Sequence, residues 1–450
     1  MRNDSITTFG VSEIQRRFLA AEARHAQLAP HLQRSVCLLP AGVDLGRLRQ
    51  VFAQVSQLQD AFRTSFERGP DLFTFFQHVQ PEGGLQLDEQ AFDGSADELV
   101  QALNHGPLFD QLHPGIDPFG PPPLARGSLL QTQDGVTALA LSVHHAIFDG
   151  WSAAVLFGQL IELFEAEDAA ACLPGIRARF DPYPAFVEHE RQTLQGERLA
   201  TLQGFWRDYL ANPPGVAADH AAAAALSLGQ EGEVRHTEIA LPAEVVQRLD
   251  ALAGAHRLTT HVLLLACMQW AMAAGNGELD VLTSTPTRNR PARFAETIGC
   301  FVNPVIVRQR MDPQRSLLDN LTALRGAATA AYRHGAFPAA RVVRELFPEL
   351  LRQRIPLASS WFAIQVGTAT QEVQQRHQFR LLNLAAGRAM GAGFALELRP
   401  VDGVLRGPFL TRRHFDPDHL APRRFLDLVQ ALLSDPRQTL AQAWRRPLSN

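Results

Sequence analysis

A chain of 450 residues that is 46% hydrophobic can bury more than one core, and its length suggests two or three globular units. A formal net charge of −4, with arginine as the only cationic residue and no lysine, supplies no basic field for nucleic acid. Cys37, Cys172, Cys267 and Cys300 are far apart and form no CxxC pair, which argues against a disulfide framework or zinc site and for free thiols in a reducing cytosol. The start Met1-Arg2-Asn3-Asp4 lacks the apolar core of a signal peptide, and no apolar run approaches about 18 residues. A cytoplasmic protein outside the membrane is expected.

In chain order, Val11 to Leu19 opens on a capping-type Ser12 and reads as a helix. Leu45 to Leu58 predicts a second, with Leu45, Leu48, Val51, Phe52 and Val55 on one face. Phe119-Gly120-Pro121-Pro122-Pro123 breaks the chain before the strand-like run Thr137 to Val143. A helix over 151–167 carries the apolar stripe Val155, Leu156, Leu160, Ile161, Leu163 and Phe164. The stretch from Ala170 to Tyr183, with two prolines and a glycine, reads as loose and marks a boundary between lobes 1–175 and 176–450.

Phe186 to Leu210 is helical, and alanine-rich Gly215 to Leu226 reads as a surface loop or linker. Thr259-Thr260 caps a long apolar helix through Ala274, closed by Gly275-Asn276-Gly277. Strands follow at Leu279–Thr283, Phe301–Val307, Phe394–Leu398 and Val404–Phe409, and a last helix spans Ala421–Leu433. Each half mixes strands and helices, so two α/β lobes fit better than one oversized sheet.

The chemistry concentrates in Val143-His144-His145-Ala146-Ile147-Phe148-Asp149-Gly150-Trp151-Ser152, where a buried strand leaves its sheet. Histidine suits proton transfer near neutral pH. On the residues alone, His145 is a catalytic candidate or a core histidine satisfied by backbone. His144 points the opposite way in an extended chain, which fits a loop-fixing role and disfavours a metal site made of His144, His145 and Asp149. Gly150 permits the turn. Trp151, together with Ser152, either faces substrate or packs the start of the helix.

The His-His-x-x-x-Asp-Gly order resembles the signature of condensation domains of nonribosomal peptide synthetases, within the chloramphenicol acetyltransferase-like superfamily. Further motifs accompany it in order. Ser12-x-Ile14-Gln15-x-Arg17-Phe18 is similar to the first, Asp60-x-Phe62-Arg63-Thr64-Ser65-Phe66 to the second, Ile298-Gly299-Cys300-Phe301-Val302-Asn303 to the fifth, and Arg354-Ile355-Pro356-Leu357 to the tail of the seventh. The fourth survives only as Tyr183-x-x-Phe186. The sixth becomes His334-Gly335-Ala336-Phe337-Pro338-Ala339, and Leu350-Leu351-Arg352-Gln353 replaces the usual start of the seventh.

The resemblance implies two acetyltransferase-like lobes set in a V, with His145 catalytic at their seam in a tunnel open to carrier proteins. It pairs Asp149 with Arg63, gives Gly150 a second task of clearing room for a phosphopantetheine thiol, and lets Gly299 and Asn303 shape the segment crossing between lobes. It implies acyl transfer from an acyl or peptidyl carrier protein to a carrier-bound or free amine or alcohol. The thioester rides on the partner's 4'-phosphopantetheine, with no cofactor or metal bound by the domain, no nucleic acid or membrane partner, and a monomeric state. The short ends fit a freestanding, chain-releasing enzyme or an excised domain. Epimerisation and non-catalytic carrier docking are the alternatives. The heterocyclising subgroup, which carries aspartates in place of the histidine pair, is excluded by His144 and His145.

Overall fold

The computed structural model describes residues 6–24, 31–105, 107–214, 234–353, 356–365, 379–382, 393–401 and 403–446. The predicted linker Gly215 to Leu226, and Arg354 and Ile355 of the last motif, lie outside that set. Packing divides the chain into two units. The first comprises Met1–Gln195, Arg288–Val302 and Gly367–Ala385; the second comprises Gly196–Thr287, Asn303–Val366 and Ala386–Asn450. Residues 176–195 thus go with the first unit, which also takes back two later segments.

Local chemistry explains that division. The stretch predicted as loose after Ala170 contains a helix, Ala169–Arg177, despite Pro174 inside it, because Asp168 caps the amides of Ala170 and Ala171. The expected continuous helix from Phe186 to Leu210 is two, Tyr183–Thr193 and Gly196–Tyr209, the second opening on Gly196 at φ +57. Tyr183 and Phe186, on the first of these, form an aromatic cluster with Phe294 and Phe301.

In the first unit, β1 (Thr7–Gly10), β4 (Phe75–Val79) and β3 (Thr64–Arg68) make a small antiparallel sheet. A five-stranded sheet runs in the order Arg380–Leu382, β2 (Leu32–Leu39), β7 (Thr137–His144), β6 (Ala125–Gln131), β5 (Leu87–Ala91), all antiparallel except β5 beside β6. Every residue of the central β7 is buried, and its alternation feeds two cores. Leu139, Leu141 and Val143 join the core formed with α1 (Glu13–Arg24), α2 (Leu45–Leu58) and α5 (Gly150–Glu165), whereas Ala138 and Ala140 join Leu99, Leu103 and Phe109. α2 has the bounds its periodicity predicts, capped by Asp44. In α1, Ser12 and Gln15 cap reciprocally through Ser12 N–H to Oε1 (2.9 Å) and Gln15 N–H to Oγ (3.3 Å).

The second unit is a six-stranded sheet in the order β10 (Asn303–Arg310), β9 (Asp280–Thr287), β11 (Ser360–Ile364), β12 (Phe394–Val401), β13 (Val404–Arg412), β8 (Val234–Leu241). β11 runs parallel to both neighbours and the remaining pairs are antiparallel. The helix Thr260–Asn276 has an unbroken buried stretch from Val262 to Ala273, starts at the predicted Thr259 cap and stops at Gly277 in the left-handed region, φ +76. Both units are mixed α/β, as the strand and helix pattern suggests. Among the described residues no single helix is long and apolar enough to cross a membrane.

Candidate active site

Where β7 ends, the two histidines part. His144 is fully buried: its Nε2 lies 2.9 Å from Glu22 Oε2, and its Nδ1 accepts from the Ala146 amide at 3.1 Å. That pattern puts the ring proton on Nε2. The same Glu22 carboxylate accepts the His31 amide at 2.9 Å and faces His31 Nδ1 at 2.8 Å. Burial acts to raise the Glu22 carboxyl, but the hydrogen bonds of His144 and His31 outweigh it and hold its pKa at about 2. His144 therefore braces the strand end against α1.

His145 opens a single 3-10 turn and is only partly buried. Its amide donates to the His31 carbonyl at 2.7 Å, and its ring stacks on Phe18, centroids 4.5 Å apart at 19°. Its Nδ1 lies 3.7 Å from Cys300 Sγ. Desolvation lowers its pKa to about 4, so at neutral pH the imidazole is uncharged and able to accept a proton.

Asp149 caps α5, accepting from the Ser152 amide at 2.8 Å and standing 2.8 Å from its hydroxyl. Its partner is not Arg63. Arg290 meets both carboxylate oxygens, at 3.0 and 3.3 Å, with its side chain wholly buried and lying over the Phe301 ring at 3.8 Å. Arg63 is bound elsewhere, to Asp60 at 2.6 Å and to the carbonyls of Gln57 and Gln80. Arg63 leads into β3 and closes the turn that ends α2, while the segment 288–302 returns to this unit carrying Arg290.

That returning segment is gripped along its length. Asp149 Oδ2 accepts the Phe301 amide at 2.9 Å, and Ser152 Oγ accepts the Gly299 amide at 3.1 Å and lies 2.7 Å from its carbonyl. Gln59 accepts the Ile298 amide at 2.9 Å, and the Tyr183 hydroxyl donates to the Cys300 carbonyl at 2.5 Å. Gly299 is required because a Cβ there would sit 2.1 Å from the Tyr183 ring. The Trp151 indole donates to the Ala295 carbonyl at 3.1 Å, and Arg288 lies over its ring, 4.2 Å from the centre, so Trp151 also meets this segment.

Gly150 departs from its expected conformational role: its φ is not positive, and a Cβ there would meet no atom within 4 Å. The turn would accept a side chain. Asn303 lies in the other unit, where its amide donates to the Gly335 carbonyl at 2.6 Å and fixes the segment that resembles the sixth motif. Arg290, Glu22, Cys300 and Tyr183 escaped the reading of roles from sequence. Tyr183 and Cys300 stood inside motif-like strings, while nothing local marks Glu22 or Arg290. Among the described residues no group of His, Cys, Asp and Glu side chains is arranged to hold a metal ion.

The family model for the condensation domain matches residues 6–444. The chain is 28% identical over 291 residues to malpinin synthetase of Mortierella alpina, covering 64% of this chain and 4% of that protein. It is 30% identical over 329 residues to phosphinothricin tripeptide synthetase PhsC of Streptomyces viridochromogenes, covering 71% of this chain and 30% of PhsC. It thus spans less than a third of the length of either relative. Among solved structures, the first condensation domain of the calcium-dependent antibiotic synthetase in complex with a substrate analogue superimposes at TM-score 0.77, with 18% identity over 98% of this chain and 99% of that one.

Proposed function

The chain belongs to the condensation-domain family, and from that premise we propose that it joins a carrier-bound acyl or peptidyl thioester to an amine or alcohol, with His145 accepting the nucleophile's proton. The observation that carries the reading is an uncharged, partly exposed imidazole near His144 and Asp149, which are themselves held by Glu22 and Arg290. An uncharged imidazole amid paired charges is suited to a proton moving between substrates.

The nucleophile's nitrogen or oxygen attacks the thioester carbonyl and loses its proton to His145. The tetrahedral intermediate then expels the pantetheine thiolate, which leaves as a thiol once the imidazolium returns the proton. Amine acceptors give amides and alcohols give esters, because the proton transfer is the same. A base of this kind contributes roughly 10²–10⁴-fold, and holding both substrates in place can add about 7–11 kcal/mol. Open space above Gly150 supports the approach of a thiol arm. The same reading extends to a free acceptor, which would release the chain from its carrier. Epimerisation and carrier docking are outcomes of the test.

The experiment incubates the protein with an acyl-loaded carrier and a panel of amines and alcohols, following product by mass spectrometry beside His145→Ala. A folded His145→Ala protein is expected to lose transfer by roughly 10²–10⁴-fold. Undiminished transfer by that variant would sink the reading. Tight carrier binding without any transfer by the wild type would replace it with docking, and isomerised but untransferred substrate with epimerisation.

A further inference from the structure

Glu22 holds two histidines in different settings. The His144 side chain is wholly buried, whereas that of His31, one residue ahead of β2, is 39% exposed. The His31 ring packs on Phe18 with centroids 5.1 Å apart, and Phe18 in turn stacks on His145 at 4.5 Å. The His31 carbonyl accepts the His145 amide at 2.7 Å, so backbone and ring contacts both tie His31 to the candidate base.

Hydrogen bonds with fixed donors set the His31 tautomer. Glu22 accepts the His31 amide at 2.9 Å. It also accepts His144 Nε2–H at 2.9 Å, because His144 Nδ1 is taken by the Ala146 amide. A carboxyl group that takes two N–H bonds is ionised and has no proton to give. His31 Nδ1, 2.8 Å from the same carboxylate, is therefore the donor there. The lone pair of neutral His31 is then on Nε2, which no hydrogen bond from the described residues reaches. A carboxylate on Nδ1–H is the arrangement that steadies an imidazolium when the other nitrogen takes a proton.

An amine acceptor has two protons to lose, an alcohol only one. With a pKa of roughly 8, an α-amine is mostly an ammonium ion at neutral pH and has no lone pair until one proton leaves. Attack on the carbonyl releases the second. We propose that His31 Nε2 takes the first proton from an ammonium acceptor, so that His145 remains uncharged to take the second as the amide bond forms. The first proton moves from nitrogen to Nε2 with no bond to carbon made or broken, and it passes to water before the next cycle. The inference rests on His145 as the base of the transfer and deepens that reading by naming the acceptor as an amine that arrives charged.

The experiment measures kcat/KM for transfer from an acyl-loaded carrier to alaninamide, an α-amine, and to methoxyamine, which is uncharged at neutral pH. His31→Gln keeps a hydrogen-bond donor for Glu22 but takes no proton. It is expected to lower the alaninamide-to-methoxyamine ratio about tenfold at pH 7, where about a tenth of an α-amine is uncharged, and less than about twofold at pH 9. His31→Phe, which keeps an aromatic ring against Phe18, is expected to give the same split. A ratio unchanged at pH 7 in both variants, or lowered equally at both pH values, would overturn the role of His31. His145→Ala is expected to slow both acceptors alike. Undiminished transfer by that variant would remove the base, while the ratio in the His31 variants reports on His31 alone. Wild-type protein that transfers to neither amine would end both readings.

Discussion

Two places, the end of β7 in the first unit and one helix–sheet contact in the second, bury polar groups in opposite ways. In the second, the contact between the helix Thr260–Asn276 and its sheet holds a neutral chain. Gln269 donates to Thr283 at 3.0 Å, Thr283 lies 2.8 Å from Ser360, and Ser360 donates to the Leu282 carbonyl at 3.1 Å. Its well-formed ion pair Arg308–Asp280 lies at a strand end, with Asp280 28% exposed. In the first unit, ions sit where β7 leaves the sheet: Glu22 with two histidines, and Asp149 with Arg290. Neutral hydroxyls and amides satisfy a core at little desolvation cost, whereas buried ions need several partners each. The end of β7 bears this cost beside one uncharged imidazole.

The comparison breaks first at its ion pair. Asp149→Ala or Arg290→Ala leaves a buried charge unpaired and is expected to cost about 3–5 kcal/mol in urea denaturation. Arg63→Ala is expected to cost less than half of that, because Asp60 is 22% exposed and can turn to water. Equal losses from Arg63→Ala and Arg290→Ala would return Asp149 to its first expected partner. A folded Asp149→Ala protein of unchanged stability would make the clamp purely chemical.

Acid sharpens the contrast. Burial lowers His113 and His145 in the first unit, and His261 in the second, to about 4 from 6.5. Their folded forms bind fewer protons than the unfolded chain between those values, so stability is full above pH 6.5 and falls as pH drops toward 4. For a buried group such as His113 the loss by pH 5 is about 2 kcal/mol. Glu22, held at about 2, stays ionised across this window and works against none of it. Hydrogen exchange followed from pH 7 to 5 should therefore loosen β6 and β7 before the second unit's sheet. The reverse order would contradict the assignment of two shifted histidines to the first unit. The smallest effect is in the neutral chain: Thr283→Val should cost about 1 kcal/mol by denaturation, since it removes one hydrogen-bonding hydroxyl at nearly constant volume.

Much of the fold was legible because helix caps and periodicity are local. Leu45–Leu58 has its predicted bounds, and Asp149-Gly150 opens the predicted helix after β7. Where local signals compete, reading failed: Pro174 and Gly175 suggested a loop, but the Asp168 cap outweighed them. Gly196, inside an apparently continuous helical pattern, takes φ +57 and opens the second helix. The remnant Tyr183-x-x-Phe186, taken as a loss in the second half, belongs to the first unit, where Tyr183 holds the Cys300 carbonyl.

The sequence by itself determined where the histidine pair stands, since a strand, the pair and a capped helix follow one another within a few residues. It also set His144 and His145 side by side, but their parting comes from β7 ending at His144 and a 3-10 turn opening at His145. Which arginine meets Asp149 was decided only in three dimensions. Arg63 and Arg290 are chemically identical, and the choice rests on which guanidinium the folded chain carries into a dry pocket and which it leaves near water. The same holds for Cys300, whose sulfur reaches the imidazole only because contacts from residues as distant as Ser12 and Tyr183 hold its backbone in place.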